Sequence, residues 1–213
     1  MKRFFFNMKY TLYILGLCFT WFSHAQHITK KTYSAEDITS VNIIGENIFK
    51  ISVETQPINE IRIHSRIEGE NSESIVLVDR SSDENFNIEA KFQPIIKNPN
   101  DKLSAHKVIS IEVELVIPEN LNLLVYLHDA DINIVGQYNK TLVSSNNGNI
   151  FLDDFLGDLK IFTQNGNIFL STNNVKVSTT SKNGIVKKEK LDSGKNKIDI
   201  KTINGDITII KSQ

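Results

Sequence analysis

A short motif recurs at a nearly fixed interval through the C-terminal half of the chain. In each copy a Ser or Thr stands two residues before an Asn-Gly pair, and an Ile follows soon after it. The pairs are Asn147-Gly148, Asn165-Gly166, Asn183-Gly184 and Asn204-Gly205, so the glycines lie 18, 18 and 21 residues apart. A period of about 20 residues is typical of proteins whose repeats stack on one another. The constraint is strong, because one repeat cannot bury its own apolar faces without a neighbour.

Between the Asn-Gly pairs, apolar and polar residues alternate over short segments, which is the pattern of β-strands. Aligning the repeats predicts two internal columns, which are Ile132, Ile150, Ile168 and Ile207, and Ile134, Leu152, Leu170 and Ile209. The opposite wall is predicted from Leu159 and Ile161, Val175 and Val177, and Ile198 and Ile200. The repeats therefore predict an all-β fold, a parallel β-solenoid (β-helix) with coils of about 18 residues.

The eight Asn and Gly residues of the four pairs are predicted to be structural turns, because both residue types tolerate a positive φ. The interval of 21 residues before Gly205 predicts a bulge in the turn over residues 190–196.

The repeats occupy residues 121–213, and the segments before them also have the alternating pattern of β-strands. Period-two alternation covers Ile48 to Glu54, Ile61 to Ile63, Phe86 to Ala90 and Ile109 to Ile117. We find no stretch of ten or more residues with helical spacing. Residues 26–120 are therefore predicted to form β-rich N-terminal coils that precede the solenoid.

The start of the chain has the pattern of a secretory signal peptide. Lys2, Arg3 and Lys9 precede the apolar residues 10–22, and Ser23-His24-Ala25 supplies a cleavage site before Gln26. Residues 1–25 are therefore predicted to direct export to the periplasm, the cell surface or the medium. Removing them also removes Cys18, the only cysteine, so the mature chain has no disulfide. No later segment approaches the roughly 20 apolar residues that span a bilayer.

The net charge of the chain narrows the class of molecule that it is expected to bind. The leader takes three of the 24 Lys and Arg residues and none of the 25 Asp and Glu residues, which leaves a net charge of −4. A nucleic-acid-binding protein would normally carry a basic surplus, so nucleic acid is excluded as the expected partner. The expected partner is a protein or a glycan at the cell envelope.

Residues that could support chemistry are few. The polar residues that follow glycines are Asn149, Asp158, Asn167 and Asp206, which offer too little charge for a calcium ladder. Asp153 and Asp154 could imitate the carboxylates of a glycosidase, but they fall in a turn between strands. The histidines show no metal-ligand spacing. We predict no catalytic residue, no metal site and no cofactor.

Two features point to contact surfaces. Phe151 and Phe169 follow the internal Ile of two successive repeats, so they face outward and form a candidate contact surface. The alternative is that the N-terminal half of the chain packs over them. The last repeat ends a few residues after Gly205, and an uncovered final coil would favour a homo-oligomer through this C-terminal coil.

The order of these motifs resembles the bacterial putative-adhesin families of unknown function, which include the auto-transporter adhesin head "GIN" domain. An early strand pair over residues 48–54 and 60–67 comes first, a strand ending at Pro118 follows, and the Gly-Asn/Asp-Ile coils run from Asp131 to Ile209. The Asn183-Gly184-Ile185 copy departs from the pattern, because it has no acid or amide after the glycine. The resemblance implies an exported β-helix without assigned chemistry.

These observations predict an exported, non-enzymatic, adhesin-like binding or structural protein of the bacterial cell envelope. Two alternatives remain open. One is a carbohydrate-active enzyme, a polysaccharide lyase or hydrolase, built on a β-helix. The other is a periplasmic partner protein in envelope sensing.

The leader gives a direct prediction. When the gene is expressed in a bacterium, intact mass spectrometry of the exported protein should show a chain that begins at Gln26. A mature protein that retains Cys18 with an attached lipid would contradict the prediction.

Overall fold

We describe the fold from a computed structural model, which covers residues 27–68, 75–92 and 110–212. The predicted leader, residues 1–25, lies outside these ranges. The described residues form strands and turns, with no helix among them. The first seven strands are β1 (His27–Ser34), β2 (Ser40–Gly45), β3 (Ile48–Gln56), β4 (Glu60–Glu68), β5 (Ile75–Ser82), β6 (Asn85–Phe92) and β7 (Ser110–Pro118). The next eight are β8 (Asn122–Asp129), β9 (Asp131–Asn147), β10 (Ile150–Asn165), β11 (Ile168–Thr172), β12 (Val175–Ser181), β13 (Val186–Lys188), β14 (Asn196–Asn204) and β15 (Ile207–Lys211).

The strands belong to one mixed sheet that divides into two ladders. The first ladder has the order β1-β4-β7-β3-β9-β10-β11-β15-β13, and the second has the order β5-β6-β2-β8-β9-β10-β14-β12. The long strands β9 and β10 belong to both, because their N-terminal parts pair in the first ladder and their C-terminal parts in the second. Pairing is parallel except at β1/β4, β4/β7 and β5/β6, which lie toward the N-terminal end of each ladder.

The internal columns predicted from the repeats are present. In the first ladder Ile150 pairs with both Ile132 and Ile168, and Ile168 pairs with Ile207. All eight aliphatic residues of the two predicted columns are at most 1% exposed. Each such side chain stabilises the fold by about 1.5–3 kcal/mol on burial, as an upper bound. The two ladders share this core, since buried residues of both form one cluster.

The order of the last strands differs from the order of the sequence. β14 pairs with β10 on one side and β12 on the other, and β15 lies in the same way between β11 and β13. The final repeat therefore lies inside the stack, and β12 and β13 are the outer edge. The three extra residues lie where they are predicted, in the connection over residues 189–195 between β13 and β14, and this longer connection carries the chain back into the stack.

The difference in apolar content between the last two repeats explains why the final repeat lies inside the stack. The β14–β15 repeat has Ile at four inward positions, and all four are buried. The β12–β13 repeat offers Val175 and the half-buried Val177, while Ile185 and Val186 remain 60% and 40% exposed. Placing the more apolar repeat inside removes more apolar surface from water. A homo-oligomer through the end of the stack would consequently form at β12 and β13, not at the chain's last strand.

The Asn-Gly turns lie directly on one another. A Cβ at Gly166 would lie 1.9 Å from the carbonyl oxygen of Gly148, and one at Gly205 would lie 2.1 Å from that of Gly166. No side chain fits at these distances, so the glycines are required by the close approach of neighbouring backbones.

Asparagine side chains join the stacked turns into a continuous hydrogen-bonded row. The Nδ2 of Asn165 donates to Oδ1 of Asn147 at 2.8 Å, and Asn204 donates to Asn165 at 2.7 Å. Asn183 continues the row by donating to Asn204 at 2.7 Å, and Asn147 ends it by donating to the Asp129 carboxylate. The row follows the spatial order of the repeats and not their order in the sequence.

A polar cluster joins the N-terminal edges of the two ladders. The Tyr33 hydroxyl of β1 donates to Asp79 of β5 at 2.6 Å, and the Lys31 ammonium lies 2.9 Å from the same carboxylate. The Tyr33 ring also lies 5.1 Å from the Phe86 ring, measured between centroids. Burial, together with the neighbouring Asp79 carboxylate, raises the pKa of Tyr33 to about 12. These contacts connect β1 of the first ladder to β5 and β6 of the second.

The close approach of the turns predicts an unequal response of two glycines to alanine. Gly166→Ala should lower the free energy of unfolding by at least about 2 kcal/mol, because the new Cβ overlaps backbone that cannot move independently. Gly45→Ala is the matched control, since its Cβ would meet the Ile48 side chain at an ordinary 3.4 Å. Urea denaturation measures both variants, and equal losses would contradict the stacking of the turns.

Candidate binding face

The outward side of the second ladder carries a cluster of exposed and half-buried apolar side chains, which we call the apolar patch. Its members are Ile44, Leu124, Tyr126, Leu142 and Phe162, which come from β2, β8, β9 and β10. Tyr126 is 60% exposed and Phe162 is 41% exposed, although both lie in the regular part of a ladder. Exposed apolar side chains gathered in one place on a sheet are typical of interaction sites.

The register of the strands brings these residues together. Tyr126 pairs with Ile44 on one side and with Ser144 on the other, and Ser144 pairs with Phe162. Leu124 and Leu142 are paired neighbours two residues earlier on the same strands. Because adjacent strands lie about 4.8 Å apart, the two aromatic residues are separated by about 10 Å along the ladder.

A groove with a volume of about 560 Å³ crosses the ladder beside the patch. The patch residues Leu124 and Leu142 contribute to its lining, with Asn42 and Asn122 toward the N-terminal end of the ladder. Its other end, on β9, β10 and β14, is lined by Lys140, Lys160, Asp158 and Lys197. The groove therefore changes from amide groups at one end to ammonium groups at the other.

Basic residues border the patch on the side of β14 and β12. The outward positions of β9, β10, β14 and β12 carry five lysines, which are Lys140, Lys160, Lys176, Lys197 and Lys201. The same outward positions carry two acidic residues, Asp158 and Asp199. Asp158 accepts a hydrogen bond from the backbone N–H of Lys197 at 2.8 Å, and Asp199 lies 3.5 Å from the Lys201 ammonium. Five lysines against two aspartates leave a local charge of +3 on a chain whose net charge is −1.

The first ladder presents the predicted phenylalanine pair on its own outward side. Phe151 pairs directly with Phe169, and Asn133 and Thr208 occupy the same row on either side. Phe151 is 45% exposed and Phe169 is half-buried. The N-terminal half joins this ladder edge to edge through β3 and β9, so none of the described strands packs over Phe151.

The predicted turn residues lie together along one edge of the stack, where backbone N–H groups bond to the polar residues after the glycines. The N–H of Asn167 donates to Asn149 at 3.1 Å, and the N–H of Asp206 donates to Asn167 at 2.9 Å. Asp206 in turn accepts from the N–H of Ile185 at 2.8 Å. Ile185 belongs to the outer repeat, and no described strand lies beyond it to need an acceptor. Its position explains why this copy of the motif has no acid or amide after the glycine.

The acidic and histidine residues near the first repeat take part in turn contacts. Asp131 accepts the N–H of Asn149 at 2.8 Å, and the His128 ring lies 2.8 Å from the Asn146 amide nitrogen. Asp192, near the outer edge, is bonded to the Lys211 ammonium at 2.8 Å, and this bond lowers the pKa of the Asp192 carboxyl. No three His, Cys, Asp or Glu residues in the described ranges are grouped so as to hold a metal ion. Over the same residues, no helix is long and apolar enough to cross a membrane.

A solved structure shares the fold. A putative cell adhesion protein from Clostridium sporogenes is 15% identical, with a TM-score of 0.62 over 89% of this chain and 100% of that one. A putative adhesin from Bacteroides fragilis is 13% identical over 86% of this chain and 97% of its own, with a TM-score of 0.40. A putative lipid binding protein from Parabacteroides distasonis is 11% identical over the same shares, with a TM-score of 0.30. The last two scores are too low to establish a common fold. No protein-family model and no curated protein matches the sequence.

The sequence motifs single out the phenylalanine pair but not the apolar patch. Tyr126, Leu142 and Phe162 alternate with core residues, so the outward assignment of each one was available from period two. Only Phe151 and Phe169 recur at the same place in two repeats, and that recurrence made them visible. The patch also includes Ile44, whose place beside Tyr126 depends on the pairing of β2 with β8.

Adjacent residues of β10 should differ sharply in their contribution to stability. Phe162→Ser should lower the free energy of unfolding by less than about 1 kcal/mol, because the ring is exposed. Ile161→Ser should lower it by about 3 kcal/mol or more, because Ile161 is 1% exposed and the variant leaves a cavity and a buried hydroxyl. Urea denaturation distinguishes the two, and a larger loss for Phe162→Ser would reverse the assignment of faces.

Proposed function

We propose that the protein is an exported, non-enzymatic, adhesin-like binding protein of the bacterial cell envelope, built on a short parallel β-solenoid. The parallel pairing of residues 18 apart supports the solenoid, since Ile150 has Ile132 and Ile168 as its direct neighbours. Residues 121–213 would form its regular coils, and residues 26–120 would form the β-rich coils that precede them. The GIN-like resemblance of the motifs agrees with this architecture.

The observation that carries the proposal is the exposed apolar patch on a regular β-face. Repeated strands present their outward residues in straight rows, and such rows suit the recognition of an extended surface. An apolar cluster at that position lowers solubility unless it is used, so its presence favours a binding role. The phenylalanine pair of the first ladder provides a second, smaller candidate surface.

Export is supported by the sequence of residues 1–25 and by the fold shared with the cell adhesion protein from Clostridium sporogenes. The name of that protein describes adhesion, which agrees with a function that does not involve turnover. The proposed partner is a component of the envelope, either protein, glycan or lipid.

Binding and turnover can be separated in one experiment. The mature protein should sediment with isolated bacterial envelopes, and the Tyr126→Ser/Phe162→Ser double variant should sediment at least about tenfold less, because the apolar contact is lost. Bacterial polysaccharides incubated with the same protein should keep their chain length.

Shortening of a polysaccharide by the wild-type protein would instead support the lyase or hydrolase alternative and would overturn the proposal. Ile161→Ser is unsuitable as a binding variant because it affects the core. Phe49→Ser is the matched control, since it removes a 58% exposed phenylalanine from β3 of the first ladder, outside both candidate surfaces.

A further inference from the structure

From the second ladder we infer a more specific partner, an anionic phospholipid bilayer, which the apolar patch and its five neighbouring lysines contact together. This inference rests on the proposed binding function and names the surface that is bound. It also assigns roles to Ile44, Leu142 and the lysines, which the sequence motifs did not single out.

The composition of the patch favours lipid over sugar. Sugar rings stack on aromatic faces, and a sugar-binding row would consist mainly of aromatic and hydrogen-bonding side chains. Here Ile44, Leu124 and Leu142 are aliphatic and have no ring to offer, whereas acyl chains accept aliphatic and aromatic side chains alike. Tyr126 is the most exposed member, and tyrosine is enriched where a protein crosses from the headgroups to the acyl region.

The arrangement of charge agrees with a bilayer surface. Lys160 lies on β10 with Phe162, and Lys197 and Lys201 lie on the neighbouring strand β14. Lysines beside exposed apolar side chains on one sheet face can reach headgroup phosphates while the apolar side chains enter the interface. The local charge of +3 is opposite in sign to the net charge of the chain, so attraction to an anionic membrane would orient this face toward it.

These groups lie on the same outward side of neighbouring strands, so they can act at once. From β2 to β12 the face spans six strands, or about 24 Å between the outer two strands at about 4.8 Å per strand. A planar membrane can meet all of these strands together, and no closing movement of the protein is required. The first ladder lacks this combination, because the residues on either side of Phe151 and Phe169 in their row are Asn133 and Thr208.

Vesicle sedimentation tests the inference. The mature protein should bind vesicles of phosphatidylglycerol and phosphatidylcholine in equal parts, and it should bind pure phosphatidylcholine vesicles at least about tenfold less. Raising the salt concentration from about 0.1 M to about 1 M should weaken the binding, because the Debye length falls from about 10 Å to about 3 Å.

Substitutions in the apolar patch and substitutions of the lysines should weaken vesicle binding in distinguishable ways. Tyr126→Ser/Phe162→Ser should reduce partition into the anionic vesicles at least about tenfold. Lys160→Glu/Lys197→Glu should reduce it by more than about tenfold and remove most of the salt dependence, given about fivefold per lysine. Phe49→Ser, which changes an exposed phenylalanine on β3 of the first ladder, should bind as the wild type does. Circular dichroism melts of all variants check that they remain folded.

The outcomes separate the inference from the proposal on which it rests. Absence of binding to anionic vesicles, or an equal loss in Phe49→Ser, would overturn the lipid inference. If envelopes were still bound through Tyr126 and Phe162, the partner would be an envelope protein or glycan and the proposed function would stand. If neither envelopes nor vesicles were bound, both would fail.

Discussion

The close contact between successive Asn-Gly turns is the constraint on which the rest of the structure depends. With the carbonyl oxygen of Gly148 only 1.9 Å from where a Cβ of Gly166 would lie, neighbouring repeats can adopt one spacing and one register there. The asparagine row then connects each turn to the next by hydrogen bonds of 2.7–2.8 Å between amides. Since side chains alternate along a strand, a fixed register at the turn determines which residues point inward and which point outward along the following strands.

The sequence was sufficient to predict which residues of the repeats align, but it was insufficient to predict which strands lie next to one another. The columns through Ile168 and Leu170 followed from period two and from the repeat length, both of which are local properties. The place of β14 between β10 and β12 did not follow, because any repeat with an Asn-Gly turn fits on any other. The choice depends on how much apolar surface each repeat buries, which is a comparison between whole arrangements.

The same reasoning explains which parts of the candidate site were predictable. Phe151 and Phe169 belong to equivalent positions of two repeats, so the length of the repeat predicts that they are neighbours. Tyr126 and Ile44 become neighbours only through the parallel pairing of β2 and β8, whose strands are separated by most of the N-terminal half. Because the inward positions must be apolar, the two ladders differ mainly at their outward positions. The first ladder carries charged pairs there, such as Arg66 with Glu112 at 2.7 Å, and the second carries the apolar patch.

The inserted position of the last repeat has a consequence for how the chain assembles. A polypeptide that emerges from its N-terminus presents residues 175–188 before residues 196–211 exist outside the ribosome or the export channel. The edge of β10 is therefore open to β12 before its final neighbour β14 has arrived. Growth by simple addition of one repeat after another, the usual route for stacked repeats, would leave these two in the wrong order. The last two repeats must settle as a unit, after Lys211 has emerged, and this makes the end of the chain the late step of its folding.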